Sequence, residues 1–323
     1  MAIQSSWPEH TLEVGAHATL GPDTNRPVDA RRCTVQLATG YLYLDAAASS
    51  KTALLGHDSP PISAADRLET QRMLSSLAPG YTCLAMASSF AAAAEFATLF
   101  AQSVLGANGH VVELNALDGE PTTGDRVLVA HENETLGRTG HWLASVAWRR
   151  APELVVVGET IALGCPFGAV LTGDGFGASA ISGSIFRKAA QAASGEALAR
   201  VKAAIAAVEN QGLLEQGLEV ANYLMARLST IRESCPQIDR IEGTGLSIRV
   251  SFTKPLMATQ VRRKMCERGV LAGVDAAGRL GINPPLPLRI AEADVITGAL
   301  RGALLDLPMV SNSACCAACE DGG

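Results

Sequence analysis

Apolar runs and short Gly- and Pro-rich turns alternate along this chain in two periodicities. From Cys33 to Asp45 (CTVQLATGYLYLD), Val35, Leu37, Tyr41 and Tyr43 alternate around Thr39-Gly40, the period-two pattern of a β-hairpin. Ala64 to Leu77 reads as a helix, Thr82 to Met86 as a short apolar strand, and Ser89 to Leu105, built on Ala, Leu and Phe, as a strong helix. Val111 to Leu114 can form one strand; Arg126 to Ala130 and Leu154 to Val157 have the unbroken apolar pattern of buried strands. Ala193 to Glu209 places Leu198, Val201, Ile205 and Val208 on one stripe, with Ser194 able to cap it and Glu196 in its first turn. Gln211 to Glu233 is a further helix, Ser247 to Phe252 alternates like a strand, and Ala258 to Arg268 is a helix stopped at Gly269. Ile290 to Leu307 closes the pattern, with Glu292 and Asp294 in its first turn. Strands interleaved with helices predict an α/β fold.

Composition narrows the class without naming it. A chain of 323 residues, 48% hydrophobic, can bury a sizeable core in one large or two modest domains. The net charge of −6, with no basic run interleaved with aromatics, argues against a nucleic-acid partner. No apolar stretch is long enough to span a membrane, and Met1 to His17 has no basic run followed by an apolar one; a cytoplasmic protein without a signal peptide is expected. Cys33, Cys83, Cys165, Cys235 and Cys266 are scattered and read as small buried residues. Cys315, Cys316 and Cys319 cluster in a small-residue tail. There a soft-metal or disulfide-exchange role stands beside the plainer reading of a disordered end, and no metal site is expected.

The motifs that carry chemistry come in a fixed order. Gly40-Tyr41-Leu42-Tyr43-Leu44-Asp45 is followed by Leu55-Gly56-His57 with Pro60. Then come Ala87-Ser88-Ser89-Phe90 at a strand-to-helix turn, Gly137-Arg138-Thr139-Gly140, and the strand Leu154–Val157 running through Gly158-Glu159 into Gly164-Cys165-Pro166-Phe167-Gly168-Ala169-Val170-Leu171. Gly243-Thr244-Gly245-Leu246 and Pro284-Pro285-Leu286 complete the set. This ordered set resembles the class III (ω-type) pyridoxal-phosphate-dependent aminotransferases. The resemblance implies a shortened PLP-transferase fold (fold type I), with a large mixed-sheet domain and a C-terminal α/β small domain. It divides the chain into an arm at 1–32, a truncated cofactor-type domain at 33–193, a linking helix and small domain at 194–307, and a flexible Cys-containing tail at 308–323.

What the resemblance implies for chemistry is mixed. Pyridoxal phosphate is the implied cofactor, and its phosphate would sit at the turn Ser88, Ser89, Phe90, where free amides and the helix dipole favour an anion; plain N-capping by Ser88 or Ser89 is the alternative. The family's Asp on the ring nitrogen falls on Ala130 without a gap and on His131, followed by Glu132, with one. No ring-stacking aromatic can be assigned, and a large segment after Gly106 is missing. Ser194 is the nearest substitute for a Thr that reaches the neighbouring subunit's phosphate. Arg279 stands where an Arg can grip a substrate carboxylate, although two residues of extra spacing favour a surface Arg on a strand. The Schiff-base lysine position is held by Glu159. A carboxylate cannot form an imine; of the lysines, Lys188 is the one conceivable replacement. The expectation is therefore an impaired aminotransferase-like protein acting as a partner or regulatory subunit, as a homodimer or in a heterodimer with an active paralogue. The alternative is an enzyme with residual cofactor binding, or with altered acid/base chemistry on Glu159, with His131, Glu132 and His141 lining the same cleft.

Overall fold

The computed structural model describes residues 27–37, 40–47, 53–57, 60–105, 110–118, 127–176, 193–254 and 256–307. Its elements run β1 (Pro27–Arg31), β2 (Thr34–Leu37), β3 (Leu42–Asp45), α1 (Arg67–Ser75), β4 (Tyr81–Ala87), α2 (Phe90–Leu105), β5 (Val111–Asn115), β6 (Val127–His131), β7 (Leu154–Val157) and β8 (Gly168–Gly173). There follow α3 (Gly195–Asn210), α4 (Leu213–Ser234), β9 (Ile238–Thr244), β10 (Ser247–Phe252), α5 (Met257–Cys266), β11 (Val270–Leu271), β12 (Gly273–Val274), β13 (Leu280–Ile282) and α6 (Ile290–Leu305). Among the described residues no helix is long and apolar enough to cross a membrane.

The five-stranded sheet has the order β4-β8-β7-β6-β5. The strands β5, β6 and β7 are parallel, whereas β8 runs antiparallel to both β7 and β4. Connection length explains the switch. The path from β6 to β7 is long enough for a crossover, but Gly158–Phe167 is shorter than the dozen or so residues a parallel return needs. The helix α2 covers one face, where Phe96 and Phe100 stack at 6.1 Å over Val127, Val129, Leu154, Val156 and Val170. Ala130, Val155, Val157, Ala169 and Leu171 belong to the larger core on the other face. The outer edge of β4 is covered from α1: the Gln71 side-chain amide donates to the Cys83 carbonyl at 2.8 Å, and the Cys83 amide donates to Ser75 Oγ at 2.9 Å.

Two smaller sheets complete the fold. One, β12-β13-β10-β9, is antiparallel; the other, β1-β2-β3-β11, joins the N-terminal hairpin to β11 in parallel. The end of the expected arm is thus a strand, β1, paired with β2. Within the hairpin, Val35 and Leu37 are buried, but Tyr41 is 70% exposed and Leu44 takes the buried place. The His57 amide donates to the Arg32 carbonyl, as a turn residue should, while its buried ring meets Asp45 Oδ2 at 3.0 Å. The five scattered cysteines are free thiols, and all but Cys165 are buried. The Cys315–Cys319 cluster, Lys51 and Lys188 lie outside the described residues.

Candidate functional site

The strand β7 ends against the start of α2. Strict alternation points Leu154 and Val156 at α2 and Val155 and Val157 at the other face. Gly158 follows where no side chain fits: a Cβ there would lie 2.7 Å from the Phe90 ring and 2.7 Å from Asn133 Oδ1. Glu159 then reaches the helix, its Oε1 accepting the Phe90 amide at 3.0 Å. Ser89 Oγ accepts the Ala92 amide at 3.2 Å, so Ser89 is the cap residue, and Ser88 is exposed. The next residue, Thr160, is buried and donates through Oγ1 to the Asn133 carbonyl at 2.7 Å, while its amide donates to Asn133 Oδ1 at 3.2 Å. The Glu159 carbonyl accepts the amides of Ala162 and Gly164, closing a tight turn through Leu163 at φ 52°.

The end of β6 separates the two candidates for a ring-nitrogen partner. Its register pairs Ala130 with Val155 and His131 with Val156. Ala130 therefore shares the face of Val155 and Val157, and His131 shares the α2 face. The His131 ring meets the Phe90 ring edge-on at 5.3 Å and 87°, and Nε2 lies 3.5 Å from Glu113 Oε2 without a hydrogen bond. Burial pushes the His131 pKa down, and Glu113 opposes that shift only in part. Glu132 is fully buried with both oxygens engaged: one accepts the Ser145 amide at 2.6 Å and the other the Thr135 hydroxyl at 2.5 Å. It pins the turn after β6 to the short 3-10 turn Ala144–Ala147. His141 is exposed.

The Gly137–Gly140 turn docks on the small sheet. Arg138 is completely buried, donating to the carbonyls of Glu134 (3.1 Å) and Pro284 (3.4 Å); burial brings its pKa down to about 10 against the pull of Glu134 and Asp45. The Arg138 carbonyl accepts the Leu246 amide at 2.9 Å. Arg279 is paired within its own turn: Nε donates to Asp275 Oδ2 at 2.7 Å, four residues back. Ser194 Oγ accepts the Ala197 amide at 3.1 Å and caps α3.

Of the residues singled out in the sequence, the structure thus gathers Ser89, Phe90 and Glu159, with His131 touching through the Phe90 ring. Both Glu132 oxygens, the Ser194 hydroxyl and Arg279 Nε are engaged in local structure elsewhere. Asn133 and Thr160, which fix the end of β7, carry no motif in the sequence. An Asn directly after the polar end of a strand was the one available signal for them.

Residues 121–304 match the family Aminotransferase class-III. The chain is 30% identical over 240 residues to an alanine/serine racemase of Pyrococcus horikoshii, covering 66% of this chain and 47% of that protein. It is 31% identical over 170 residues to acetylornithine aminotransferase 1 of Bordetella bronchiseptica, covering 51% and 41% respectively. The chain therefore spans about half the length of the curated relatives it matches. Among solved structures, acetylornithine aminotransferase from Elizabethkingia anophelis superposes with a TM-score of 0.74 at 17% identity, over 91% of this chain and 97% of that one. An ornithine aminotransferase from Plasmodium yoelii does so with a TM-score of 0.74, also at 17% identity. The fold is that of the fold-type-I aminotransferases.

Proposed function

The chain belongs to the class III aminotransferase family, whose members depend on pyridoxal phosphate, and we propose that it keeps the family's scaffold without its transamination, serving as a partner or regulatory subunit. The observation that carries the reading is Glu159. The residue at the end of β7, where the resemblance puts the lysine, has a carboxylate bonded to the Phe90 amide. An imine needs an amine nucleophile, and a carboxylate has none to offer.

Two further features support it. Ala130, which falls on the Asp position without a gap, shares a sheet face with Val155 and Val157; a methyl there offers a ring nitrogen nothing, and His131 points to the opposite face. The other described lysines are occupied or remote: Lys202 pairs with Glu69 at 2.7 Å, Lys264 with Glu267 at 2.7 Å, and Lys254 is exposed beyond β10. These side chains do not fit the cofactor. The same reading keeps the division at residue 194 between a cofactor-type part and a small domain, a cytoplasmic setting, and a dimer formed with itself or with an active paralogue. Chemistry on Glu159 as acid or base is the lesser reading, because its Oε1 already serves α2.

The test is the absorption spectrum of the purified full chain mixed with pyridoxal phosphate, followed by borohydride reduction and peptide mapping. The expected result is no imine band and no labelled peptide. A reduced adduct on any lysine of this chain overturns the proposal.

A further inference from the structure

We propose that Glu159 is an internal anion: its carboxylate occupies the seat at the start of α2 that a phosphate would take and closes that seat from within. The inference rests on the reading above for the location of the seat, and it adds what fills it.

The first amides of any helix lack intrahelical acceptors and carry the positive end of the helix dipole. In α2 the Ala92 amide is satisfied by Ser89 Oγ, and the first helical amide, that of Phe90, is satisfied by Glu159 Oε1. The helix has no acidic residue in its own first turn. The negative charge comes from a residue 69 positions away, at the end of another element.

That carboxylate is held on both sides. Before it, Gly158 packs so closely on the Phe90 side chain and Asn133 Oδ1 that no Cβ fits, and this lack of a side chain lets β7 reach the start of α2. After it, Thr160 is fastened to Asn133 through its amide and its hydroxyl. The Glu159 carbonyl anchors the turn through Ala162 and Gly164. The side chain therefore hangs from a backbone pinned at the residues before and after it, beside the amide it bonds. A phosphate arriving at that amide must displace Glu159 or stand at contact distance from a like charge. The same contact ties β7 to α2 with no cofactor needed.

The experiment is thermal unfolding of the full chain titrated with inorganic phosphate at constant ionic strength, for wild type, Glu159→Gln and Glu159→Ala. Wild type is expected to show no phosphate-dependent shift. Glu159→Ala should melt lower without phosphate and recover as phosphate rises, because the vacated Phe90 amide then has an anion to bind. Glu159→Gln, which keeps an oxygen but not the charge, should fall between. If Glu159→Ala does not fold, phosphate binding to Glu159→Gln, read by phosphorus-31 line broadening against wild type, carries the test. A wild type stabilised by phosphate as much as the variants, or variants that ignore phosphate, overturns the proposal. Either result leaves the imine experiment untouched, and a lysine adduct in wild type would sink the functional reading without restoring phosphate to this seat.

Discussion

Gly245 tests how the Gly137–Gly140 turn is held on the small sheet. It lies in the tight β9–β10 connection at φ +58°, and a Cβ there would stand 1.8 Å from the Arg138 carbonyl oxygen and 2.8 Å from Thr139 Cα. Ordinary carbon–oxygen contacts are no closer than about 3.3 Å. Gly245→Ala must therefore push two backbones apart by more than an ångström, and no rotamer change can relieve it. The same displacement breaks the 2.9 Å bond from the Leu246 amide to that oxygen. A left-handed alanine costs roughly 1–2 kcal/mol, the lost bond about 1 kcal/mol, and the overpacking about 1–3 kcal/mol. The sum is about 3–6 kcal/mol. Gly278→Ala is the control: its φ is +74° with nothing within 4 Å of a Cβ, which leaves the left-handed cost of roughly 1–2 kcal/mol. Urea unfolding of the two variants, followed by far-ultraviolet circular dichroism, should show a midpoint loss for Gly245→Ala at least double that of Gly278→Ala. Equal losses would mean that the close approach at Arg138 contributes nothing, and that glycine is needed at 245 for its dihedral angle alone.

Glu132→Ala should destabilise the chain by about 2–5 kcal/mol, because it strands the buried Ser145 amide and Thr135 hydroxyl, whereas Glu132→Gln should recover part of the loss by keeping an acceptor; an unchanged urea midpoint for the Ala variant would contradict the role given to this carboxylate. His131 titrates with its folded pKa below the unfolded value, so the unfolded chain binds the proton first on acidification. Its contribution to stability is intact above the unfolded pKa of about 6.5, falls as the pH drops below it, and levels off below the folded pKa. Unfolding midpoints compared at about pH 7.5 and pH 5 should thus differ more in wild type than in His131→Leu, and identical differences in the two proteins would refute the assignment.

Much of the architecture was legible before any coordinates. β7 and β10 fall on the residues their apolar pattern picks out, and Ser194 caps α3 as its position suggests. Two things were not legible. In β6 every residue before His131 is apolar, so alternation carries no sign of which face is which; only the pairing of Ala130 with Val155 separates the faces. The partners of the charged residues were hidden for another reason. Glu159 meets an amide 69 residues away, and Glu132 meets Ser145 across a turn, contacts that depend on how separate strands are stacked. Arg279 is the exception, since Asp275 lies four residues before it in a turn and the pair could have been read directly. The ordered motifs proved informative about framework for a physical reason. Gly137–Gly140 and Gly245-Leu246 are bonded to one another, and they secure a joint whatever chemistry stands at Glu159.

The covering of β4 by α1 bears on how this protein behaves in company. A strand at the rim of a sheet is a template for any other extended chain, because its outward amides and carbonyls seek partners. Gln71 and Ser75 occupy both outward backbone groups of Cys83 in the middle of that rim. Growth by strand addition is thereby blocked at the middle of this border. Fraying of a single nine-residue helix would expose the template, which makes α1 a guard against aggregation as much as a packing element.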